Sequence, residues 1–512
     1  MKGIGNHHDT KMPPRRWLIT LASVLAASVL AASSLARATD SSATAPPPSP
    51  GTETMLDPRG IEQAWTGDFD GMFERRMIRI AVPYSRTLYY VDKGREFVLG
   101  AEVIRDFERW INRKYAHKLD HRPLTVFAVV TPRDEILASV AAGRADIGTG
   151  NLTVTSDRQR IVDFVAPMII PPNVEVLITG PASPAIGSID DLAGQVVHVR
   201  RSSSYHDSLV ALNQRLRAAG RAEARIVLVP DDLEDEDMME MLDSGLLNLI
   251  VVDEWKAKIW APVLPSVRIR SDIVLRPAGS VGWAVRKGSP NLVAELNDAY
   301  RKAVGKDEPV EYRNFQAMER VKALRSAAAA NDRARFESLL EHFEKYGRMF
   351  GFDPLMLAAQ GYQESGLDQS KRSPAGAIGI MQLLPTTGAE LGVGDITLAE
   401  PNIHAGAKYL DSILRTHFAD ADLNPQNRVL FAVAGYNAGP KAIETMRTEA
   451  RKRGLDPNIW FNNVEVMTGE KIGLETTTYV RNIYKYYVSY RLTAEAQAAA
   501  AKLRDGPKAK GK

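Results

Sequence analysis

Asp353-Pro354-Leu355-Met356-Leu357-Ala358-Ala359-Gln360-Gly361-Tyr362-Gln363-Glu364-Ser365-Gly366 reads as a short helix with both ends marked. Asp is placed to cap the first turn, Pro fits the first helical position, and Gly follows the last turn. Glu364 then falls in the final turn. There the negative end of the helix dipole and the apolar residues around it both disfavour a carboxylate. The spacing therefore predicts a raised pKa and a carboxyl still protonated near neutral pH, as a general acid requires. A glutamate at a helix end is more often simply solvated, so the run needs company before it carries chemistry.

That company follows in order: Ser373-Pro374-Ala375-Gly376-Ala377-Ile378-Gly379-Ile380-Met381-Gln382-Leu383-Leu384-Pro385, then Ala434-Gly435-Tyr436-Asn437-Ala438-Gly439, then Glu475-Thr476-Thr477-Thr478-Tyr479-Val480. The set resembles the soluble lytic transglycosylase family over residues 333–490, with a goose-type lysozyme fold for its catalytic module. Gly435 departs from the Ala usual before Tyr-Asn. The resemblance implies Glu364 as the catalytic acid. It further implies that Ser365 and Tyr479 orient the carboxyl or an intermediate, that Gln382 and Asn437 hold substrate, and that Tyr436 lines the cleft. Gly376 and Gly379 either admit the glycan close to the backbone or serve ordinary turns.

Only one carboxylate stands in a motif of this strength. A retaining glycosidase needs a second as nucleophile, and an inverting one needs a base across the ring. Asp368 is nearest in sequence but suits a cap, and Glu390 and Glu475 read as structural. A single acid fits a transglycosylase, a carbon–oxygen lyase acting on peptidoglycan glycan strands. The resemblance implies cleavage between N-acetylmuramic acid and N-acetylglucosamine with 1,6-anhydro ends. A lysozyme-like hydrolase and a non-catalytic solute- or glycan-binding protein are the competing readings.

The amino-terminal half has a different texture. From Met77, short apolar runs alternate with amphipathic helical stretches up to Asp146-Ile147-Gly148. A second such block spans about Ser188 to Leu275, with strands at Val196–Val199, Arg225–Val229 and Leu249–Asp253. Strand and helix in alternation predict layered α/β lobes. Asn151-Leu152-Thr153-Val154-Thr155-Ser156-Asp157-Arg158 and Val162-Asp163-Phe164 resemble the periplasmic type 3 solute-binding family. Trp65-Thr66-Gly67-Asp68-Phe69-Asp70 and Tyr84-Ser85-Arg86-Thr87-Leu88-Tyr89-Tyr90 look like the first half of the membrane-bound lytic transglycosylase F family, which joins both modules in this order. The resemblance implies a ligand site in which Arg158 and Thr153 take a carboxylate. Asp253 would take an amino group, and Ser202, Ser203 and Ser204 would supply backbone N–H groups. An amino acid or a cell-wall stem peptide is the implied ligand. The alternative is a surface ion pair between Arg158 and Asp163. Arg200 and Arg201, ahead of the serines, either admit a more acidic ligand or face solvent.

The expected architecture is multidomain, an α/β two-lobed clamshell followed by a mainly α lysozyme-like domain. Residues 1–38 read as a signal peptide, 39–59 as a Ser/Thr/Pro-rich linker and 60–310 as the clamshell. Residues 311–332 read as a helical connector, 333–490 as the catalytic domain and 491–512 as an Ala/Lys-rich tail. A chain of 512 residues with 45% hydrophobic and 25% charged content supports several cores. Without cysteine it has no disulfide, thiolate metal site or lipid-attachment thiol. The leader carries Lys2, Lys11, Arg15, Arg16 and Arg37 against Asp9, so its loss takes the net charge from +3 to about −1. Little then favours nucleic acid as a partner. The expected location is the periplasm of a Gram-negative bacterium, peripheral to the outer membrane, unless an uncleaved leader anchors the chain in the inner membrane. No cofactor or metal is expected: His117 and His121, four apart, read as a solvated face.

Overall fold

The computed structural model describes residues 63–302 and 333–504, apart from 94, 98, 121 and 166–172. The expected leader, linker and connector, His121 and the last residues of the tail lie outside the described residues. Among the described residues there are twelve strands and seventeen α-helices. The strands are β1 Met77–Val82, β2 Tyr90–Asp92, β3 Arg95–Phe97, β4 Thr125–Val130, β5 Ile147–Thr153, β6 Asp163–Val165, β7 Asn173–Thr179, β8 Val196–Arg200, β9 Arg225–Val229, β10 Leu249–Asp253, β11 Arg268–Gly279 and β12 Val281–Val285. Helices of the first half are α1 Phe69–Glu74, α2 Leu99–Lys114, α3 Ala116–Leu119, α4 Ile136–Ala141, α5 Ser156–Ile161, α6 Ser204–Ala218, α7 Asp235–Asp243, α8 Glu254–Trp260 and α9 Pro290–Lys302. Those of the second half are α10 Arg333–Phe350, α11 Pro354–Ser365, α12 Pro385–Leu391, α13 Ala399–His417, α14 Pro425–Ala438, α15 Pro440–Lys452, α16 Glu465–Lys471 and α17 Leu474–Arg504.

β2 and β3 pair as a separate antiparallel ribbon, and the other ten strands form two five-stranded mixed sheets, ordered β4-β1-β5-β12-β6 and β11-β7-β10-β8-β9. Each is the heart of one lobe. In the first, β1 is buried along its whole length and pairs in parallel with β4 and β5. Such burial on both faces is normal where helices cover a parallel sheet. Arg79 sits inside that strand with no exposed surface, and Asp146 holds it through the Arg79 N–H at 2.8 Å and Nη2 at 2.9 Å. The Asp-Ile-Gly motif thus closes a buried charge pair. β12 runs antiparallel between β5 and β6, and only Ser280 separates it from β11 of the other sheet. The chain therefore returns to the first lobe after building the second. β7, β11 and β12 are absent from the sequence reading, because antiparallel returns lack the strand-helix alternation that exposed the others.

The second half is helical, and four of its helices, α11, α12, α14 and α15, begin with Pro at the first position. A fixed φ and a missing N–H cost nothing there. Around α14 the core is apolar on every side, with Leu430, Phe431, Ala432, Val433 and Ala434 all fully buried. That packing makes α14 the central rod of the domain and sets Tyr436 and Asn437 at its end.

All described residues belong to one compact unit, Leu56–Lys512, and clamshell and helical domain share a buried polar junction. α7 lies at its centre. From the first lobe, Arg86 reaches Asp237 at 2.8 Å and both oxygens of Glu240 at 2.9 and 2.8 Å. From α17, Arg481 grips Glu465 at 2.5 and 2.9 Å and touches Asp237 at 3.2 Å, while Lys485 pairs with Glu240. The Asp92 carboxylate of the first lobe also accepts the Leu474 N–H at the start of α17, at 3.2 Å. Except for half-buried Asp92 these charges are buried, so each depends on its partners to offset the loss of water.

Candidate active site and clamshell cavity

Helix α11 is built as its sequence predicts: the Asp353 side chain accepts the Leu355 N–H, and Gly366 ends it in the left-handed region at φ 71°. Glu364 stands in the last turn, half-buried. Burial pushes its carboxyl up to about 7, against the opposing pull of the Tyr479 hydroxyl and of Lys371. Tyr479, itself buried on α17, donates to Glu364 Oε1 at 2.5 Å. Lys371 caps the same helix end, its Nζ donating to the Glu364 carbonyl at 3.1 Å. It is a contributor that sequence reasoning missed; a cation a few residues past the helix end was the available signal.

Ser365 takes a different part from the one expected. Its hydroxyl lies 3.1 Å from the Gly361 carbonyl and 3.0 Å from that of Ile380, and it accepts the Asp368 N–H at 3.0 Å. It fastens the helix end to the following loop and makes no bond to the Glu364 carboxyl. That loop is pinned by Asn402, fully buried on α13, which accepts from the Met381 N–H at 2.8 Å and donates to the Ile378 and Ile396 carbonyls at 2.9 and 3.0 Å. No motif singled out Asn402, whose role appears only when α13 is packed against the loop. Gly379, at φ 76°, would bring a Cβ within 2.4–2.7 Å of the Gln369 and Asn402 amides, so its close approach is to the protein's own side chains. Gln382 also has a positive φ, 47°, and its amide donates to the Gly379 carbonyl at 2.8 Å. Such strain in a non-glycine residue beside a site is worth attention.

Tyr436 and Asn437 come to the same region from the end of α14. The Tyr436 hydroxyl donates to the Met381 carbonyl at 2.6 Å, and exposed Asn437 accepts from Thr476 Oγ1 of α17 at 2.9 Å. Gly435 leaves room for Ile413 and Pro440, 3.1 and 3.3 Å from where a Cβ would stand. No carboxylate joins the groups that act on Glu364. Asp368 is committed to Ser370, whose N–H and hydroxyl it accepts at 2.8 and 2.6 Å, and those bonds hold it below the usual carboxylate range. Glu390 and Glu475 are exposed.

In the clamshell, Thr153, Arg158, Ser202, Ser203, Ser204 and Asp253 line one cavity of about 160 Å³ between the lobes. The Arg158 guanidinium donates to the carbonyls of Thr153 and Ser202 at 2.9 and 2.8 Å, one from each lobe. Burial depresses its pKa, and among the described residues no carboxylate is bonded to it. Asp163 instead meets Lys287 at 3.3 Å, so the surface-pair alternative for Arg158 does not form. Asp253 is already occupied: it accepts from Asn151 at 2.5 Å and Asn173 at 2.6 Å and pairs with Lys256 at 3.2 Å. The Ser204 hydroxyl bridges to Thr153 Oγ1 at 3.0 Å and Glu175 at 2.7 Å, the Ser202 hydroxyl donates to Asp231 at 2.5 Å, and that of Ser203 donates to the Arg200 carbonyl at 2.8 Å. Arg200 turns inward, buried against Asp235 and Glu234, while Arg201 is exposed. Arg133, which grips Glu234 across the cleft at 2.7 Å, and Lys256 also line the cavity and were not anticipated. Lys256, one turn past Asp253, carried a local signal that sequence reasoning missed, whereas Arg133 pairs with Glu234 from 101 residues away and carried none.

Two family models match this chain: Transglycosylase SLT domain over residues 341–459, and Bacterial extracellular solute-binding proteins, family 3, over 107–309. Membrane-bound lytic murein transglycosylase F of Desulfosudis oleivorans is 30% identical over 374 residues, which cover 69% of this chain and 79% of the relative. The chain belongs to the membrane-bound lytic murein transglycosylase F family. The Pseudomonas putida F1 relative of the same name is 26% identical over 434 residues, 81% of this chain and 84% of its own length. An L-arginine-bound amino acid ABC transporter substrate-binding protein of Streptococcus pneumoniae matches 50% of this chain and 98% of its own at 19% identity, with a TM-score of 0.38. A transglycosylase F family member is a peptidoglycan lytic transglycosylase with a solute-binding module, and envelope association accords with the family name. Among the described residues, no helix is long and apolar enough to cross a membrane.

Proposed function

We propose that Glu364 cleaves the bond between N-acetylmuramic acid and N-acetylglucosamine and leaves 1,6-anhydro ends. The carrying observation is a lone carboxyl at about 7, held by the Tyr479 hydroxyl with no second acid acting on it. Protonated Glu364 gives its proton to the bridging oxygen as the C1–O bond breaks. Positive charge at C1 is taken up by the muramoyl 2-acetamido oxygen or carried as an oxocarbenium ion. Tyr479 then stabilises the new carboxylate, which takes the proton of the sugar's 6-hydroxyl as that oxygen closes on C1. One acid serves both steps, and no water is consumed. Gln382, Asn437 and Tyr436 are proposed to hold and line the glycan path, with Ser365 supporting the helix end from which Glu364 acts. Mass analysis of muropeptides released from purified sacculi tests this: anhydro ends are expected, and reducing muramic acid ends would establish a hydrolase.

The clamshell is proposed to bind a small carboxylate-bearing ligand that modulates cleavage. Arg158 supports this, since a buried guanidinium bonded only to carbonyls gains by meeting a carboxylate. A ligand amine directed at Asp253 must compete with Lys256. At about 160 Å³ the cavity is below the roughly 300–1,000 Å³ of drug-sized pockets. That size favours a single amino acid, and a stem peptide would need the lobes to part. Calorimetry with free amino acids and with stem peptides tests both the binding and the size argument.

A further inference from the structure

Gln360 lies one turn before Glu364 on α11, among Met356, Leu357, Ala358, Ala359 and Gly361. It is wholly buried, and neither its amide nitrogen nor its oxygen has a partner in good hydrogen-bond geometry. An amide left unpaired in an apolar interior costs stability that Leu or Met would not. The position therefore asks what the amide does.

The answer is next to it. The Tyr479 phenol is pushed far up, first by burial and then by the Glu364 carboxylate, while the Gln360 amide pulls the other way. Tyr479 has a single proton and spends it on Glu364 Oε1. Its oxygen can then receive only the NH₂ side of the glutamine. We propose that Gln360 is a positioning residue for the cleavage reaction: its buried amide, unpaired in this structure, turns to donate to the Tyr479 oxygen, so that Tyr479 is held on Glu364 and strengthened as a donor.

The chain of groups has a direction, from the Gln360 amide through the Tyr479 hydroxyl to the Glu364 carboxylate. A phenol that accepts a hydrogen bond donates more strongly, because successive bonds polarise one another. The stronger donor stabilises Glu364 after it has lost its proton. Gln360 should thus hold the acid's pKa lower than burial alone would, and aid the stage at which the carboxylate waits to act as base. This rests on Glu364 being the acid, as proposed above.

The test uses the full chain and its Gln360→Met, Tyr479→Phe and doubly substituted forms, with sacculus digestion followed across pH. In Gln360→Met the alkaline limb of kcat/KM should move up by roughly half a pH unit and kcat should fall several-fold with KM little changed. Against Tyr479→Phe the same substitution should leave the limb where it was. A limb that does not move in Gln360→Met, or that moves equally in both backgrounds, overturns the proposal. Infrared titration of the Glu364 carboxyl, assigned by its loss in Glu364→Gln, reads the shift in folded protein even where turnover is too slow. Glu364→Gln also separates the two claims, since retained cleavage there would sink the acid assignment and not merely the role of Gln360.

Discussion

As the proposed acid, Glu364 combines two demands that usually conflict: it must stay protonated near neutral pH, yet release its proton to the substrate. Burial meets the first, and Tyr479 with Lys371 moderates it. The acid-competent form is the protonated one, so activity should decline as pH rises through about 7, seen as the alkaline limb of kcat/KM. Glu364→Gln should lower anhydro-muropeptide release by at least ~100-fold, on the scale of general acid catalysis. Stability gives an independent reading. A carboxyl raised in the folded state binds its proton more tightly there, so stability falls as pH rises between the unfolded value of 4.5 and about 7. The Gln variant lacks that penalty. It should be more stable than the parent by roughly 1–3 kcal/mol at pH 8 and equal to it below both values, measured by urea unfolding.

At the scale of elements, α17 and α7 matter most. α17 carries Tyr479 to Glu364, and two residues further on Arg481 ties it to α16 and the clamshell. α7 has two roles along its length: Asp235 faces the cavity through Arg200 and Lys256, while Asp237 and Glu240 hold Arg481, Lys485 and Arg86. Replacing Arg481 with Met would strand Glu465 as a buried carboxylate and leave Asp237 to Arg86 alone. We expect a loss of about 3–5 kcal/mol in stability. Cleavage should slow as well, because α17 would no longer fix the Tyr479 backbone. Denaturant unfolding and sacculus digestion of the same preparation check both; unchanged values would show that the junction is incidental. Gly469→Ala probes the other contact, since its Cβ would stand 2.5 Å from the Tyr84 hydroxyl and 2.9 Å from the Val91 carbonyl in the first lobe. It should lower the melting temperature, with the first lobe and α16 the first to lose protection in hydrogen exchange.

Over the whole molecule, both lobes touch the start of α17: Asp92 of the first caps it, and α7 of the second pairs with Arg481 and Lys485. A hinge movement between lobes would therefore act on the element that delivers Tyr479. Two packings of one interface are the kind of bistable element that coupling requires. Arg158→Ala should weaken ligand binding by tens to thousands of fold, the equivalent of about 2–5 kcal/mol for a desolvated charge partner. In the parent chain, a ligand found by calorimetry should change the rate of sacculus cleavage. In Arg481→Met it should still bind while that rate response is lost. Equal rates with and without bound ligand in the parent would leave the clamshell without a regulatory part.

The helix of Glu364 was legible residue by residue, because capping and helix-end chemistry are local: Asp353 and Pro354 fix where the helix starts, Gly366 fixes where it stops, and hence where Glu364 stands. Alternation of strand and helix marked β1, β4, β5, β8, β9 and β10. It did not mark β7, β11 and β12, whose pairing is decided by a chain return that local pattern cannot express. Thr153 and Arg158 do line the cavity, but the bonds from Asn151 and Asn173 that occupy Asp253 and the inward turn of Arg200 toward α7 depend on residues distant in sequence. Asn402 behind the Met381 loop and the α7–α17 junction were invisible for the same reason. Sequence by itself determined the modules, their order and the place of Glu364 in the last turn of its helix, since each rests on contiguous residues. Tertiary structure decided how far burial raises that carboxyl, that Tyr479 holds it from 115 residues away, and that the clamshell grips the helix of Tyr479 across 244 residues, since these groups must share one dry interior.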